Sequence, residues 1–339
     1  MKTNDVPIEE AVGLTLAYDL TGITPGKEKG AVLRRGHLIT QADLEVLRSI
    51  GKSSVKVLQL EPQEVHEDDA AWRLGRALAG SNLEVIMPGE AWADLVTLAN
   101  GVLKVQAERL LALNSEPEVL VATLHNNSPV KKGQTVARAK VRGLAVEEPV
   151  LTWAEQLARE PSPLLAVLPY RPLRGGAVIT GREILEGRKK DAFAPLLRRR
   201  LADYGSTLAW TRIVPDELPA ICEAIESALM AGLETVFVTG GGSPDDCTSD
   251  AIAASAERVV FHGVPVAPGA MSMLAYSRGV PILSVPGGLL ARPRGFFDLI
   301  LPRLLAGERL ERDEVAEYGH GGLCLRCPTC VFPACPFGK

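Results

Sequence analysis

Three glycine-containing loops are the parts of this sequence whose residue types could bind an anion. Each loop follows an apolar run that predicts a buried strand. Glycine lets backbone N–H groups approach a phosphate closely, so the pattern predicts a phosphate-binding site. Tight strand-to-helix turns without a ligand are the alternative interpretation. The candidate ligand-binding residues are Thr180, Gly181, Glu183, Gly240, Gly241, Gly242, Ser243, Pro286, Gly287 and Gly288.

Three aspartates accompany these loops. Asp246 and Asp250 follow the second loop, and Asp216 follows another predicted strand. Carboxylates repel a phosphate unless a cation lies between them, and Mg²⁺ binds carboxylates together with phosphate oxygens. We therefore predict that these aspartates are catalytic residues that hold Mg²⁺. The alternative for Asp246 and Asp216 is helix N-capping, because each precedes a predicted helix.

Four cysteines lie within the last sixteen residues of the chain, at Cys324, Cys327, Cys330 and Cys335. Their C-x2-C-x2-C-x4-C spacing is typical of metal sites rather than of a disulfide framework. Four thiolates suit either Zn²⁺ or an iron–sulfur cluster, and His320 is a possible substitute ligand. The spacing leaves the metal undecided, and free thiols are the alternative.

The pattern of elements changes along the chain. Residues 30–60 predict a strand, a helix and a strand, and two helices are predicted over 70–79 and 91–113. Residues 119–150 are β-rich. From residue 163, with a first strand over 164–170, strands and helices alternate strictly, which requires a mostly parallel sheet with helices on both faces.

The predicted fold class is therefore α/β, preceded by a smaller α+β N-terminal region. We predict an N-terminal α+β module (1–62), a helical and β-rich connecting region (63–160), an α/β domain (161–312) and a cysteine-rich metal-binding tail (313–339).

Five segments of the α/β domain resemble one known family. In chain order they are AVITGREILEGRKKDAFAPLLRRRLADYG, TRIVPDELPAICEAI, VFVTGGGSPDDCTSDAIAAS, FHGVPVAPGAMSMLA and ILSVPGG. Their order and spacing over residues 163–310 resemble the molybdopterin-binding domains of enzymes that adenylylate molybdopterin or insert molybdate, including the gephyrin-like proteins. The segment GAVLRRGHLITQADLEVLRSIG is similar to the region that precedes this domain in the molybdate-inserting branch.

The resemblance implies that molybdopterin and its phosphate lie across the strand ends, with Mg²⁺ and an adenylate in the same site. It also implies that Asp246 matches a functional aspartate and that Asp216 and Asp250 match acidic positions of the family. Two departures stand against this: Gly288 occupies a position where the molybdate-inserting branch usually carries Asn, and the β-rich domain that normally follows residue 310 is missing from the sequence.

The function that follows is molybdenum-cofactor biosynthesis, by Mg²⁺-dependent adenylyl transfer or molybdate insertion on molybdopterin. The alternative is a non-catalytic carrier or sensor of the cofactor. The expected partners are a phosphorylated pterin, ATP or an AMP moiety, and further copies of the chain. The net charge of −4 argues against a nucleic-acid-coating protein. Since no long apolar stretch or signal sequence is found, we expect a cytoplasmic protein without a membrane span.

Overall fold

The structure is a computed structural model that describes residues 4–22, 30–57, 60–89, 91–240 and 246–339. It contains a six-stranded, mostly parallel sheet flanked by helices, and this sheet is preceded by small antiparallel sheets and helices. The predicted fold class is confirmed, whereas the four segment boundaries stay predictions.

The N-terminal region consists of two antiparallel strand pairs and one helix around a small apolar core. Strand β1 pairs with β4, and β2 pairs with β3. The strand–helix–strand prediction for residues 30–60 is confirmed. The elements are β1 (Asn4–Pro7), a 3-10 helix (Ile8–Glu10), β2 (Leu20–Gly22), β3 (Gly30–Leu33), α1 (Asp43–Ser49) and β4 (Ser54–Val57).

The Asp43 carboxylate, in the first turn of helix α1, is expected to make the stability of the fold depend on pH. The Asp43 carboxylate lies 2.8 Å from Nε2 of His37 and accepts hydrogen bonds from Thr40, which lowers the pKa of Asp43 from 3.8 to about 2. A lowered folded-state pKa stabilises the fold above pH 3.8, and this contribution disappears as the pH falls through about 2. Asp43→Asn should therefore cost about 1 kcal/mol at pH 7, after discounting for the exposed His37.

Urea unfolding at pH 7 and near the folded-state pKa measures this effect. The matched control is Glu45→Gln, which removes an exposed charge from the same first helical turn. An Asp43→Asn deficit that stays constant down to pH 2 would contradict the assignment.

The middle region contains three small antiparallel sheets around one core, against which three helices pack. The sheet orders are β6-β7-β11-β9, β10-β8-β13 and β12-β5. The elements are β5 (Glu64–His66), α2 (Glu67–Leu78), β6 (Leu83–Gly89), β7 (Trp92–Thr97), β8 (Gly101–Val105), α3 (Ala107–Asn114), β9 (Val119–Thr123), β10 (Pro129–Val130), β11 (Thr135–Val141), β12 (Ala145–Glu147), α4 (Glu148–Arg159) and β13 (Leu165–Pro169).

Two predictions for this region need correction. The prediction of a helix over 91–113 is wrong for the first part of that range, which forms β7 and β8. Only the last part of the range, in α3, is helical. Both strands are buried on nearly every residue, and strands buried on both faces lack the alternation that separates a strand from a helix. The strand predicted over 164–170 exists as β13, but it pairs with β8 and not with the parallel sheet.

The C-terminal sheet has the order β15-β14-β16-β19-β18-β17. Its first four strands are parallel, β18 is antiparallel to β19, and β17 is antiparallel to β18. Helices α6 and α10 pack on one face of the sheet, and α7 and α8 pack on the other. Apolar side chains on each face of the strands form a separate core with the apolar side of the two helices that cover that face. The elements are β14 (Arg174–Thr180), α5 (Arg182–Leu185), α6 (Phe193–Ala202), β15 (Thr207–Val214), α7 (Leu218–Met230), β16 (Thr235–Thr239), α8 (Thr248–Ser255), β17 (Arg258–His262), β18 (Met273–Ser277), β19 (Val280–Val285), α9 (Gly288–Ala291), α10 (Phe296–Leu305), α11 (Arg312–Ala316) and a 3-10 helix (Glu317–Gly319).

Candidate functional site

The carboxyl ends of four adjacent parallel strands meet at one edge of the C-terminal sheet. Gly181 N–H, after β14, donates to the carbonyl of Val214 at the end of β15 at 3.1 Å. Gly240 N–H, after β16, donates to the carbonyl of Val285 at the end of β19 at 3.2 Å. The described parts of the three predicted loops therefore converge at this edge, where ligands bind in open α/β sheets. Gly241, Gly242 and Ser243 lie outside the described residues.

A pair of buried threonines joins the ends of β14 and β16. The hydroxyl of Thr180 donates to the carbonyl of Thr239 at 2.7 Å, and the N–H of Thr180 donates to the hydroxyl of Thr239 at 2.9 Å. These bonds fix the two strand ends against each other and hold both following glycines in place. Sequence reasoning missed Thr239, although the repeated Thr-Gly pair at two strand ends was a usable signal.

Gly240 is surrounded by oxygen atoms. Its φ of +113° is a conformation that only glycine adopts readily. A Cβ at this position would lie 2.4 Å from Oγ1 of Thr248, 2.9 Å from Oδ2 of Asp246 and 3.1 Å from Oγ1 of Thr180. The Thr248 hydroxyl is fully buried and has no hydrogen-bond partner among the described residues. The site therefore brings three oxygen-bearing side chains around one glycine.

Gly240→Ala tests this close approach. The alanine would combine an unfavourable φ with contact against Thr248 and Asp246, so we expect a loss of about 2 kcal/mol in the free energy of unfolding. The matched control is Gly279→Ala, which also has a positive φ but open space around its Cβ position. It should cost only about 1 kcal/mol. Equal losses for the two variants in urea unfolding would contradict the crowding at Gly240.

The three predicted catalytic aspartates lie close to Cys247. Burial raises the pKa of the Cys247 thiol, and the charges of Asp246, Asp216 and Asp250 raise it further. Oδ1 of Asp246 accepts the N–H of Thr248 at 2.8 Å, so this residue also caps helix α8. Oδ2 of Asp216 accepts the N–H of Arg182 at 3.2 Å and thus ties the β15 and β14 loops together. Sequence reasoning missed Cys247.

Glu183 and the third loop occupy the two sides of this edge. The Glu183 carboxylate lies 3.8 Å from the ammonium group of Lys189 and is partly exposed. Pro286, Gly287 and Gly288 line a cavity of about 220 Å³ together with residues 268–272 and 294–297. The buried hydroxyl of Ser272 has no hydrogen-bond partner among the residues that the structure describes. The third loop therefore faces a cavity that offers a free polar group.

A second cavity, of about 560 Å³, adjoins the third loop and is lined by four arginines, which are Arg199, Arg200, Arg292 and Arg294. Arg294 also lines the cavity beside Pro286. The Asp298 carboxylate forms ion pairs with two of these arginines. Its Oδ1 lies 3.1 Å from Nε of Arg200 and 2.7 Å from Nη1 of Arg294. A cavity of this charge suits anionic groups such as phosphates. Sequence reasoning missed it because its arginines come from separate segments.

The four tail cysteines are free thiols that line one further cavity. Within the described residues, no three His, Cys, Asp or Glu side chains are placed to hold a single metal ion. The metal site thus stays a prediction. None of the helices in the described ranges is long and apolar enough to cross a membrane.

Comparison with known proteins identifies relatives of parts of this chain. Residues 5–59 match a domain of unknown function. A CinA-like protein of Mycobacterium leprae is 40% identical over 83 residues, which are 24% of this chain and 19% of that protein. One from Frankia casuarinae is 37% identical over 86 residues, 25% of this chain and 20% of that protein. The chain spans about a fifth of the length of these relatives.

Solved structures that match parts of this chain include two proteins of molybdopterin biosynthesis. The enzyme MoaB of Thermus thermophilus has a TM-score of 0.35 and 23% identity, covering 40% of this chain and 98% of its own. The MoeA protein of Pyrococcus horikoshii has a TM-score of 0.35 and 17% identity, covering 79% of this chain and 78% of its own.

The family comparison covers the strands and loops of the site described above. Residues 176–306, which include β14 to β19, match the family described as a probable molybdopterin binding domain. This region of the chain belongs to the molybdopterin-binding domain family.

Proposed function

We propose that this chain binds a phosphorylated molybdopterin across the ends of β14, β16 and β19 and carries out Mg²⁺-dependent adenylyl transfer or molybdate insertion on it. The observation that supports the proposal is the placement of Asp246, Asp216 and Asp250 close to Cys247, with Asp246 also close to Gly240. An anion and three carboxylates do not share a site stably unless a cation separates them.

The residues at this edge fit a Mg²⁺ ion. Mg²⁺ prefers oxygen ligands, commonly one or two carboxylates with phosphate oxygens and water. Asp246 and Asp216 would hold it, and Asp250 would add negative charge from the first turn of α8. When bound, Mg²⁺ neutralises phosphate charge and polarises the phosphoryl group. The buried, unpartnered hydroxyl of Thr248 supplies a further oxygen near this position.

The chain's own groups orient the ligand. The Thr180–Thr239 pair holds the two glycines that follow β14 and β16, so their backbone can approach a phosphate without a side chain between. The first turn of α8 directs its N–H groups and dipole toward the same edge. The four arginines of the adjoining cavity supply charge for a second anionic group, such as the phosphate of an adenylate.

Titration of molybdopterin into the full chain tests the proposal, with and without Mg²⁺, ATP and molybdate, followed by mass spectrometry of the pterin. We expect tight, Mg²⁺-dependent binding and a pterin product whose mass shows adenylylation or bound molybdate. Binding with an unchanged pterin would support a carrier or sensor, an alternative that the Gly288 substitution favours. No binding would contradict both functions.

ATP as the nucleotide and self-association of the chain are further parts of the proposal. The same titration without ATP separates a nucleotide-dependent product from molybdate insertion. Light scattering on the purified chain measures whether it is a homo-oligomer.

A further inference from the structure

The four tail cysteines occupy one place in the structure. Cys324, Cys327, Cys330 and Cys335 all line a single cavity of about 120 Å³. The rest of its lining is largely apolar and includes Phe332 and Phe337, whose rings pack edge to face at 6.3 Å. The four tail cysteines therefore share one cavity, with Cys324 and Cys335 half-buried and Cys327 and Cys330 exposed.

The tail is packed onto the α/β domain. The N–H of Cys324 donates to the carbonyl of Ala267 at 2.9 Å, and the N–H of Ala267 donates to the carbonyl of Gly322 at 2.8 Å. Phe337, near the end of the tail, is buried in the core that also contains Phe296. The cavity therefore lies between the tail and the surface of the α/β domain around Pro268 and residues 292–294.

Local backbone geometry brings the cysteines to this cavity. Arg326, between the first two cysteines, has a left-handed backbone with φ of +55°, which is unfavourable for a residue other than glycine and makes a tight turn. The N–H of Ala334 donates to the carbonyl of Val331 at 2.8 Å, so the chain turns again before Cys335. This second turn brings the fourth cysteine to the same cavity as the first three despite its longer spacing.

The size of the cavity distinguishes between the two metals that the spacing permits. A single zinc ion holds four thiolates at about 2.3 Å and leaves no cavity between them. Cysteines arranged around an open volume suit a cluster of several iron and sulfide atoms, in which each thiolate binds a different iron.

The charge around the cavity suits such a cluster. Arg292, Arg294 and Arg326 line it, and the guanidinium of Arg294 lies 5.3 Å from the centre of the Phe332 ring. A cluster bound by four thiolates carries net negative charge, which nearby cations and an apolar lining stabilise. Arg294 also lines the arginine cavity and the cavity beside Pro286, so the cluster would lie next to the proposed ligand site.

We infer that the four tail cysteines bind a four-iron, four-sulfide cluster. Each thiol would lose its proton to solvent as its sulfur forms a bond to one iron. Two ferrous ions, two ferric ions and four sulfides supply the cluster core without a further oxidant or reductant. This inference goes beyond the proposed function, because it concerns metal content and does not depend on pterin binding.

The test uses the full chain, purified without oxygen and reconstituted with iron and sulfide. We expect about four iron and about four acid-labile sulfide atoms per chain, a broad visible charge-transfer absorption, and an electron paramagnetic resonance signal after reduction. Cys327→Ser, at an exposed position, should lose most of the iron while keeping the circular dichroism of the folded chain. The matched control is Cys222→Ser, whose cysteine lies outside the tail and which should keep the cluster.

Three outcomes would overturn the inference. The first is a single zinc per chain that displaces iron and gives a tetrathiolate spectrum after cobalt substitution. The second is the absence of any tightly bound metal after reconstitution. The third is equal iron loss in Cys327→Ser and Cys222→Ser. Failure of pterin binding would leave the iron and sulfide content unchanged, so the two proposals fail separately.

Discussion

Asp246→Asn is expected to lower the rate of molybdopterin turnover at least about a hundredfold while the chain still binds the pterin. Asn keeps the size of the side chain and its oxygen for capping α8, but it removes the charge that would hold Mg²⁺ beside the phosphate. The measurement is the rate of product formation by mass spectrometry at saturating Mg²⁺, together with pterin affinity by titration calorimetry.

The control for helix capping is Asp191→Asn. Oδ1 of Asp191 accepts the N–H of Phe193 at 2.7 Å at the start of α6, which is the same relation that Asp246 has to Thr248. Asp191→Asn should reproduce any loss of stability through capping without a comparable loss of turnover. If both variants lose turnover equally, or if Asp246→Asn stays fully active, the assignment of Asp246 to Mg²⁺ is wrong.

Asp298→Asn is expected to destabilise the chain by about 3–5 kcal/mol, the largest stability effect predicted here. The Asp298 side chain is 1% exposed and lies within ion-pair distance of Arg200 and Arg294. Its Oδ2 also accepts the N–H of Gly295 at 3.0 Å. Removing its charge leaves the guanidinium of Arg200, itself 7% exposed, buried without its carboxylate partner. Urea unfolding at pH 7 measures the loss.

Two further variants separate this ion pair from general disruption. Asp313→Asn removes an exposed aspartate from the first turn of α11 and should change stability by less than about 0.5 kcal/mol. Adding Arg200→Met to Asp298→Asn should recover part of the lost stability, because the unpaired cation is then gone. A double variant that is less stable than Asp298→Asn would contradict this explanation. Burial lowers the pKa of Arg200, and the charge of Asp298 opposes that shift.

The sequence was sufficient to predict the α/β class and the meeting of the three loops. Strict alternation of apolar runs and amphipathic segments from residue 163 onward permits few topologies besides a parallel sheet, although the first strand of that run, β13, pairs with β8 instead. The carboxyl ends of neighbouring parallel strands must lie at one edge, so Thr180, Gly240 and Pro286 could be assigned to one site without knowledge of their contacts. The fold class and the shared edge of the three loops could thus be predicted from the local sequence pattern and a general rule of sheet topology.

The parts that were mispredicted depend on long-range pairing. Residues 92–105 form strands that are buried on both faces, and a continuous apolar run does not reveal its partner strand. The need for glycine at position 101 follows only from the fold, because a Cβ there would clash with the carbonyl oxygen of Leu168 in β13. The arginine cavity was equally hidden, because Arg200 and Arg294 meet through Asp298 and not through sequence spacing.

A crystal structure of the full chain with molybdopterin and Mn²⁺ in place of Mg²⁺ tests the central claim most directly. Mn²⁺ shares the oxygen preference of Mg²⁺ and is located by its anomalous scattering. We predict the metal within bonding distance of Asp246 and the pterin phosphate beside Gly240, with the pterin extending toward Pro286. A pterin bound only in the arginine cavity, with the metal away from Asp246, would contradict the proposed site.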